Sequence, residues 1–230
     1  MNPHPKNRVQ TTREVSQMKI AKITATKNGP FKMTGLKKIT RHTGEVISIE
    51  QEAYLCRCGG SSTKPFCDDT HKKNGFDGSP NPDYLKNKVR AYEGEKIIIY
   101  DNRSVCSHRG YCTQEVPNVF KKSAPWIDPD GDTVEKIIDL CNKCPSGALS
   151  YAIVGKGRVQ GDYLGEACLR ISERRFGFDG PYDLTGAIAI DGQTLRTSES
   201  PFKATLCRCG YSKNMPFCSG EHIKIEFIED

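Results

Sequence analysis

The feature that most constrains this chain is a group of three cysteines and one histidine that occurs twice at the same spacing. The first copy reads "LCRCGGSSTKPFCDDTH" from Leu55, and the second reads "LCRCGYSKNMPFCSGEH" from Leu206. The copies are 151 residues apart without a gap, and 17 of the 43 positions at 29–71 are identical in the second copy. An ungapped repeat of this quality predicts two copies of one supersecondary unit.

Length and composition favour several small modules with thin cores over one large core. The chain has 230 residues, of which 36% are hydrophobic. Small modules usually need a disulfide or a metal for stability, and the 11 cysteines could supply either. Neither a signal peptide nor a membrane-spanning run is visible, which predicts a cytoplasmic protein without a membrane partner. Closely spaced cysteines in that compartment bind metal more often than they form disulfides.

The net charge of +6 comes from scattered basic residues, so we expect no nucleic-acid partner.

Three thiolates and an imidazole are enough for one zinc ion or for the outer ligands of a two-iron cluster. The spacing is Cys-x-Cys-x8-Cys-x3-His, so all four donors lie in one short loop, whereas structural zinc sites usually use ligand pairs two to four residues apart. Gly and Ser residues between the donors allow backbone N–H groups to approach a cluster sulfide. These features favour a cluster over zinc. The candidate ligands are Cys56, Cys58, Cys67 and His71 in the first copy, and Cys207, Cys209, Cys218 and His222 in the second.

Gly and Pro around the repeats predict short strands and turns. The segment "TGEVISIE" at 43–50 alternates apolar and polar residues, which predicts a half-buried strand with Ile47 and Ile49 on one face. The residue after the third cysteine is Asp68 in the first copy and Ser219 in the second, and both are good helix N-caps. We therefore expect each histidine in the first turn of a helix.

The repeated motif resembles the CDGSH, or NEET, iron–sulfur family, whose pattern is Cys-x-Cys-x2-Ser-x3-Pro-x-Cys-Asp-Gly-Ser/Thr/Ala-His. The first copy departs from it at Asp69, where the family has Gly. The second has Ser219 in place of the Asp and Glu221 in place of the small residue, while both copies keep every ligand position. The resemblance implies a [2Fe–2S] cluster with three Cys ligands and one His ligand in each repeat. It also implies a dimer-like pairing, which the two copies could form within one chain.

The unit between the repeats does not resemble them. The run "KIIIY" predicts a strand, and the segment after Asp132 and Thr133, either of which can cap it, has apolar residues at helical spacing. The run "ALSYAIV" then predicts a returning strand. This order of strand, cysteine loop, helix, Cys-Pro and strand is half of a ferredoxin-like unit.

The cysteines of this unit resemble those of a divergent single-cluster ferredoxin domain. The matching cysteines are Cys106, Cys112 and Cys144. Arg109 stands where an ordinary four-iron ferredoxin has a further cysteine. The fourth donor could be His108 or Cys141, or it could be absent, and Cys141 could instead be a buried thiol. We expect a [3Fe–4S] or [4Fe–4S] cluster here, with structural zinc or an empty site as the alternatives.

These patterns predict an α+β fold in which two NEET-type, β-rich repeats pair as an internal pseudo-dimer beside a ferredoxin-like α+β module. The expected domains are a flexible tail at 1–17, the first repeat at 18–78, the ferredoxin-like module at 79–156, a linker at 157–178 and the second repeat at 179–230. We expect a monomer that is not an enzyme and that transfers single electrons, coupled to protons, to a redox partner protein. The alternative is a carrier of iron or clusters that serves an apo-acceptor protein, or a redox sensor.

Overall fold

The computed structural model describes residues 21–81, 83–84, 89–159, 166–191 and 202–229, so the tail predicted at 1–17 lies outside the described residues. The described part is mostly β-sheet with few, short helices. Its strands are β1 Ala21–Ala25, β2 Phe31–Thr34, β3 Lys38–Arg41, β4 Val46–Ser48, β5 Glu52–Leu55, β6 Val89–Glu93, β7 Ile97–Asn102, β8 Leu149–Ile153, β9 Cys168–Ile171, β10 Tyr182–Thr185, β11 Ile188–Asp191 and β12 Lys203–Leu206. Its helices are α1 Tyr111–Glu115, α2 Val134–Lys143 and α3 Glu221–Lys224, with 3-10 turns at Thr70–Lys72 and Arg103–Val105.

Of the three sheets formed by the described residues, two contain strands from both repeats. In the sheet ordered β11-β1-β2-β5, β11 of the second repeat pairs in parallel with β1 of the first. In the sheet ordered β12-β10-β9-β3-β4, β3 of the first repeat pairs in parallel with β9. The β3–β4 hairpin contains part of the strand predicted at 43–50, and Ile49 beyond its end is buried as expected. The second repeat therefore adds β11 to a sheet built mainly by the first, and the first repeat adds β3 and β4 to a sheet built mainly by the second.

Part of the segment that the sequence predicts as a linker is a strand. A linker is expected at 157–178, but residues Cys168–Ile171 form β9, with Leu169 and Ile171 buried. β9 pairs with β10 on one side and with β3 on the other. The linker prediction is wrong for this segment because a four-residue strand carries little local signal, and its partners come from distant parts of the chain.

The two repeats share one hydrophobic core. Phe31 of the first repeat packs in the same buried cluster as Leu169, Tyr182 and Leu206 of the second, and none of the four is more than 1% exposed. The hydroxyl group of Tyr182 donates a hydrogen bond to the carbonyl oxygen of Cys56 at 3.0 Å, which ties the second repeat to the first ligand loop. Separate thin cores, which composition favoured, are therefore wrong for the repeats, because the exchanged strands merge two small apolar faces into one.

The middle unit has the predicted order of elements and a core of its own. β6, β7 and β8 form an antiparallel sheet, and α2 packs with it around Ile97, Ile99 and Ile137. The Thr133 hydroxyl caps α2 by accepting a hydrogen bond from the amide of Lys136 at 3.4 Å. The predicted strand, capped helix and returning strand are thus confirmed. Among the described residues, none of the helices combines the length and the apolarity needed to span a lipid bilayer.

Candidate metal centres

The ligand loop of the first repeat follows β5 and brings its four predicted donors together. The sulfur atoms of Cys56 and Cys58 lie 3.9 Å apart, and the sulfur of Cys67 lies 3.3 Å from Nδ1 of His71. Cys58 is close enough to both Cys67 and His71 to interact with them electrostatically. The donors therefore form two pairs, one of two sulfurs and one of sulfur and nitrogen.

The second repeat has the same arrangement after β12. The sulfur atoms of Cys207 and Cys209 lie 3.7 Å apart, and the sulfur of Cys218 lies 3.4 Å from Nδ1 of His222. A backbone hydrogen bond from the amide of Cys207 to the carbonyl of Pro216 closes the loop at 2.9 Å. All 11 cysteines of the chain lie in the described residues, and none is in a disulfide.

Each histidine lies in a short helical turn, as predicted, but the turn begins one residue later than expected. The first turn follows Asp69, which has φ +68°, and α3 follows Gly220, which has φ +82°. The prediction that Asp68 and Ser219 are the N-caps is wrong. A left-handed residue is needed here to turn the chain back toward the third cysteine, and Gly adopts this conformation freely while Asp tolerates it.

Asp68 and Ser219 instead hold their ligand loops closed. A carboxylate oxygen of Asp68 accepts a hydrogen bond from the amide of Ser62 at 2.9 Å. The hydroxyl oxygen of Ser219 accepts the equivalent bond from the amide of Lys213 at 3.0 Å. Hydrogen bonds from Thr70 and from Ser62 hold the pKa of Asp68 below its usual range. The two copies thus make the same hydrogen bond across the loop with different groups. The first uses the carboxylate of Asp68 at an exposed position, and the second uses the hydroxyl of Ser219 at a buried one.

Backbone N–H groups point at the cysteine sulfurs of both ligand loops, whereas the Gly and Ser residues predicted an approach to a cluster sulfide. The amide of Gly60 donates to the sulfur of Cys58 at 3.4 Å, and the amide of Gly220 donates to the sulfur of Cys218 at 3.4 Å. A hydrogen bond from the neighbouring thiol of Cys56 lowers the pKa of Cys58 to about 5. Donors of this kind stabilise thiolates, the form in which cysteine binds metal.

The ligand loops of the two repeats touch each other. Gly59 has φ +77°, and a side chain at this position would collide with the carbonyl group of Cys209. Gly210 has φ +88°, and a side chain there would collide with the carbonyl group of Cys58. Only glycine satisfies both the backbone conformation and the close approach. The contact explains why this residue is Gly in both copies.

The burial and the partners of Arg57 indicate whether an iron–sulfur cluster fits these residues. It lies between Cys56 and Cys58 and is 1% exposed, with Nη2 donating to the carbonyl of Gly78 at 2.6 Å. Its Nε and Nη1 have no hydrogen-bond partner among the described residues, and its guanidinium lies over the rings of Phe31 and Phe76. Its charge is near enough to interact with Cys207 of the other repeat and with Asp77. A buried cation needs a nearby anion, and a cluster held by thiolates is negatively charged. The sulfur-rich donor set, the N–H groups directed at sulfur and this buried cation all fit a cluster.

Sequence reasoning missed Arg57 and its counterpart Arg208, although both stand between the first two cysteines. Arg208 is also buried, but its guanidinium donates to the carbonyl of Gly180 and pairs with Glu229 at 2.5 Å. The only signal was that the position is Arg in both copies. The two arginines are therefore matched in sequence but differ in their partners.

The three predicted cysteines of the middle unit line one pocket. This pocket lies between the 3-10 turn after β7, α1 and the end of α2, and Cys106, Cys112 and Cys144 line it together with His108 and Arg109. Burial raises the pKa of Cys106 to about 11 and that of Cys112 to about 12. Buried thiols that resist ionisation in the free protein are stabilised as thiolates when a metal binds them.

Cys141 does not line this pocket. It lies on the face of α2 that packs into the core of the middle unit and is 3% exposed. Burial raises the pKa of this thiol. The position of Cys141 therefore agrees with the alternative in which this residue is a buried thiol.

His108 and Arg109 extend from the pocket toward the second repeat. The guanidinium of Arg109 is 4% exposed and donates to the carbonyl of Glu173 at 2.5 Å. The ring of His108, which has φ +55°, lies against Gly220, since a methyl group added at Gly220 would be 2.7 Å from its Cδ2 atom. Two of the predicted centres are thus neighbours, which no local pattern in the sequence showed.

Comparison with known families agrees with the geometry. A family model described as "Iron-binding zinc finger CDGSH type" matches residues 28–72 and 179–223. The chain belongs to the CDGSH family. A second family model, described as "Divergent 4Fe-4S mono-cluster", matches residues 92–153. Both resemblances seen in the sequence are confirmed, and the chain is an iron–sulfur protein with two CDGSH domains on either side of a divergent 4Fe-4S domain.

Two curated relatives share part of this sequence. Both are named "Uncharacterized protein YjdI", one from Escherichia coli strain K12 and the other from Escherichia coli O157:H7. Each is 43% identical over 68 residues, a stretch that covers 29% of this chain and 90% of the relative. Their printed name assigns them no activity.

Proposed function

We propose that this CDGSH protein carries three clusters and transfers single electrons between them and a partner protein. In this proposal each CDGSH site holds a [2Fe–2S] cluster, and the middle site holds a [3Fe–4S] or [4Fe–4S] cluster. The ligands of the CDGSH sites are Cys56, Cys58, Cys67 and His71, and Cys207, Cys209, Cys218 and His222. The ligands of the middle site are Cys106, Cys112 and Cys144, with His108 and Cys141 as the candidates for a fourth.

The proposal of electron transfer rests on the contacts between the three ligand loops. Gly59 of the first ligand loop lies on Cys209 of the second, and Gly220 of the second lies on His108 at the middle pocket. Redox centres held this close can exchange electrons within one chain. Electron transfer needs no nucleophile, general base or substrate cleft, so we propose that the protein is not an enzyme.

In this proposal the histidines of the two CDGSH sites, His71 and His222, are the groups that take up protons. Each Nδ1 faces a cysteine sulfur, so Nε2 is the second ring nitrogen, and Nε2 of His71 lies 3.9 Å from a carboxylate oxygen of Asp69, while burial lowers the pKa of His222. A two-iron cluster with three thiolates and one imidazole supplies one-electron redox chemistry at a formal charge about one unit less negative than with four thiolates. Gain of an electron raises the proton affinity of a nearby imidazole, so the histidine couples the uptake of an electron to that of a proton.

We also propose that the two repeats form an internal pseudo-dimer and that the protein acts as a monomer. The exchanged strands β3 and β11 and the shared core support this arrangement. In this proposal the second repeat starts at β9, and the module between the repeats ends near residue 156.

Partial exposure of the first centre favours a second candidate function. Cys67 and His71 are both partly exposed among the described residues, and a ligand open to solvent is a route for the loss of iron. The second candidate is therefore a carrier of iron or clusters for an apo-acceptor protein, or a redox sensor.

Protein-film voltammetry separates the two candidates. Electron transfer predicts reversible one-electron waves that survive many cycles, with potentials that fall as pH rises. A carrier predicts that clusters leave on reduction or acidification and appear in an added apo-ferredoxin, which native gel shifts and absorbance can follow. Waves that disappear within the first cycles would contradict the first candidate.

A further inference from the structure

The two CDGSH centres differ in exposure although their ligand loops match. In the first repeat, Cys67 is partly exposed, the His71 side chain is 10% exposed, and that of the adjacent Asp69 is 62% exposed. In the second repeat, Cys218 and His222 are each 2% exposed. This contrast holds within the described part of the chain, where one centre is at the surface and the other is enclosed.

The middle unit covers the second centre. The ring of His108 lies on Gly220, the residue that turns the chain between Cys218 and α3. Asn214, in the second ligand loop, donates from Nδ2 to the carbonyl oxygen of Ser104 at 2.8 Å, and this bond is buried. The ring of His108 and the hydrogen bond of Asn214 therefore join the middle unit, which forms the cover, to the second ligand loop on either side of Cys218.

The departures from the CDGSH pattern coincide with this difference. At the covered centre, Gly220 leaves room for the ring of His108, whereas the same position in the first copy is Asp69, whose carboxylate reaches solvent. Ser219 makes the loop hydrogen bond with a neutral hydroxyl where the surroundings are buried, while the exposed copy uses the carboxylate of Asp68. A carboxylate would be costly to bury at the second centre, and a side chain at Gly220 would displace the cover.

We infer that the two centres have different duties: the first-repeat centre is where iron or a cluster is exchanged with an outside acceptor, and the second-repeat centre is an enclosed, resident site. The outside acceptor is a small chelator or a protein that presents thiol or carboxylate ligands, which can reach Cys67 and His71. This inference rests on the proposal that both centres hold clusters. It assigns the carrier chemistry to one of the two sites.

The test follows the loss of each cluster separately in the full-length, cluster-loaded protein. Replacing one histidine by cysteine, as His71→Cys or His222→Cys, leaves only the other CDGSH centre with a nitrogen ligand. Pulsed EPR of the reduced protein then reports that centre through its nitrogen coupling during incubation with EDTA. The nitrogen-coupled signal should decay at least about tenfold faster in His222→Cys than in His71→Cys, because ligands at the surface open locally at lower free energy.

A matched pair of variants tests the cover itself. Asn214→Ala removes the bond to Ser104 and should accelerate cluster loss from the second centre in the His71→Cys background. The same position in the first repeat is Thr63, which is exposed. Thr63→Ala in the His222→Cys background should leave the loss from the first centre unchanged.

Two results would overturn the inference. Equal rates of loss from the loaded centres, or faster loss from the second, would show that the middle unit does not protect its neighbour, while the proposed function would stand. Absence of any nitrogen-coupled signal in both variants before EDTA is added would contradict the proposed function and the inference together.

Discussion

The backbone of Gly59 lies so close to the carbonyl group of Cys209 that no side chain fits between them, and Gly210 lies in the same way against Cys58. This reciprocal contact joins the ligand loops of two repeats that are separated by the whole middle unit in the sequence. Together with the exchanged strands, it makes the two CDGSH centres parts of one structure.

Replacing Gly59 by Ala should destabilise the protein more than an equivalent change at an open glycine. Gly44 is the matched control, because it has φ +92° but nothing within 4 Å of an added Cβ. Gly44→Ala should cost about 1 kcal/mol through backbone strain alone, whereas Gly59→Ala should cost about 2–4 kcal/mol because it also forces the loops apart. Urea denaturation followed by circular dichroism measures both, and equal costs would contradict the loop contact.

Replacing either CDGSH histidine by cysteine should lower the reduction potential of that centre and flatten its dependence on pH. A fourth thiolate adds negative charge, which disfavours the incoming electron, and it removes the imidazole that takes up a proton. The variant centres should also resist loss of the cluster in acid. Voltammetry of His71→Cys and His222→Cys between pH 6 and 9 checks this, and unchanged pH slopes in both would rule out the proposed role of the histidines.

Asp183 should make stability depend on pH. Burial raises the pKa of this carboxyl to about 6, although Ser172 donates a hydrogen bond to it at 2.5 Å, and one carboxylate oxygen has no partner among the described residues. Because the folded pKa exceeds the unfolded value, the group contributes stability below about pH 4 that is lost as the pH rises through about 6.

Asp183→Asn should therefore unfold at higher urea concentration than the wild type at pH 7.5. The expected gain is about 1–2 kcal/mol, less than the full shift in pKa would give because the buried amide of Asn also needs hydrogen-bond partners. The gain should vanish near pH 4.5, where the wild-type carboxyl is protonated in the folded protein. A variant that is less stable than the wild type at pH 7.5 would show that the charge of Asp183 is needed.

Cys141 and Cys144 lie one turn apart at the end of α2 but should respond differently to substitution by serine. Cys144→Ser removes a thiol that lines the middle pocket and should lower the iron content, whereas Cys141→Ser changes only a thiol in the core. We expect three iron atoms in this centre after exposure to air, which gives an EPR signal in the oxidised protein. An EPR-silent oxidised centre whose iron is lost in Cys141→Ser would identify Cys141 as the fourth ligand.

The sequence was most informative where the structure depends on neighbouring residues. The donors of each CDGSH loop lie within 16 residues, from Cys56 to His71, so their spacing alone predicted that they come together. The helix α2 and its Thr133 cap were predictable for the same reason, because helical periodicity and capping are local.

Features that depend on contacts between distant residues were not predictable. The strand β9 has few residues and takes its partners from both repeats, and nothing near it in the sequence marks it as a strand. The caps predicted at Asp68 and Ser219 were wrong because the chain needs a left-handed residue one position later. The cover formed by His108 over Gly220 joins two units whose sequences are unrelated, so it appears only in the folded chain.

The central claim is that this chain holds three iron–sulfur clusters, and counting iron, zinc and acid-labile sulfide in protein purified from iron-replete cells tests it most directly. We predict roughly 7 iron atoms per chain for a three-iron middle centre, or roughly 8 for a four-iron one, together with sulfide and rhombic EPR signals from two reduced two-iron centres. Stoichiometric zinc at either CDGSH site, with a colourless protein that lacks sulfide, would contradict the account.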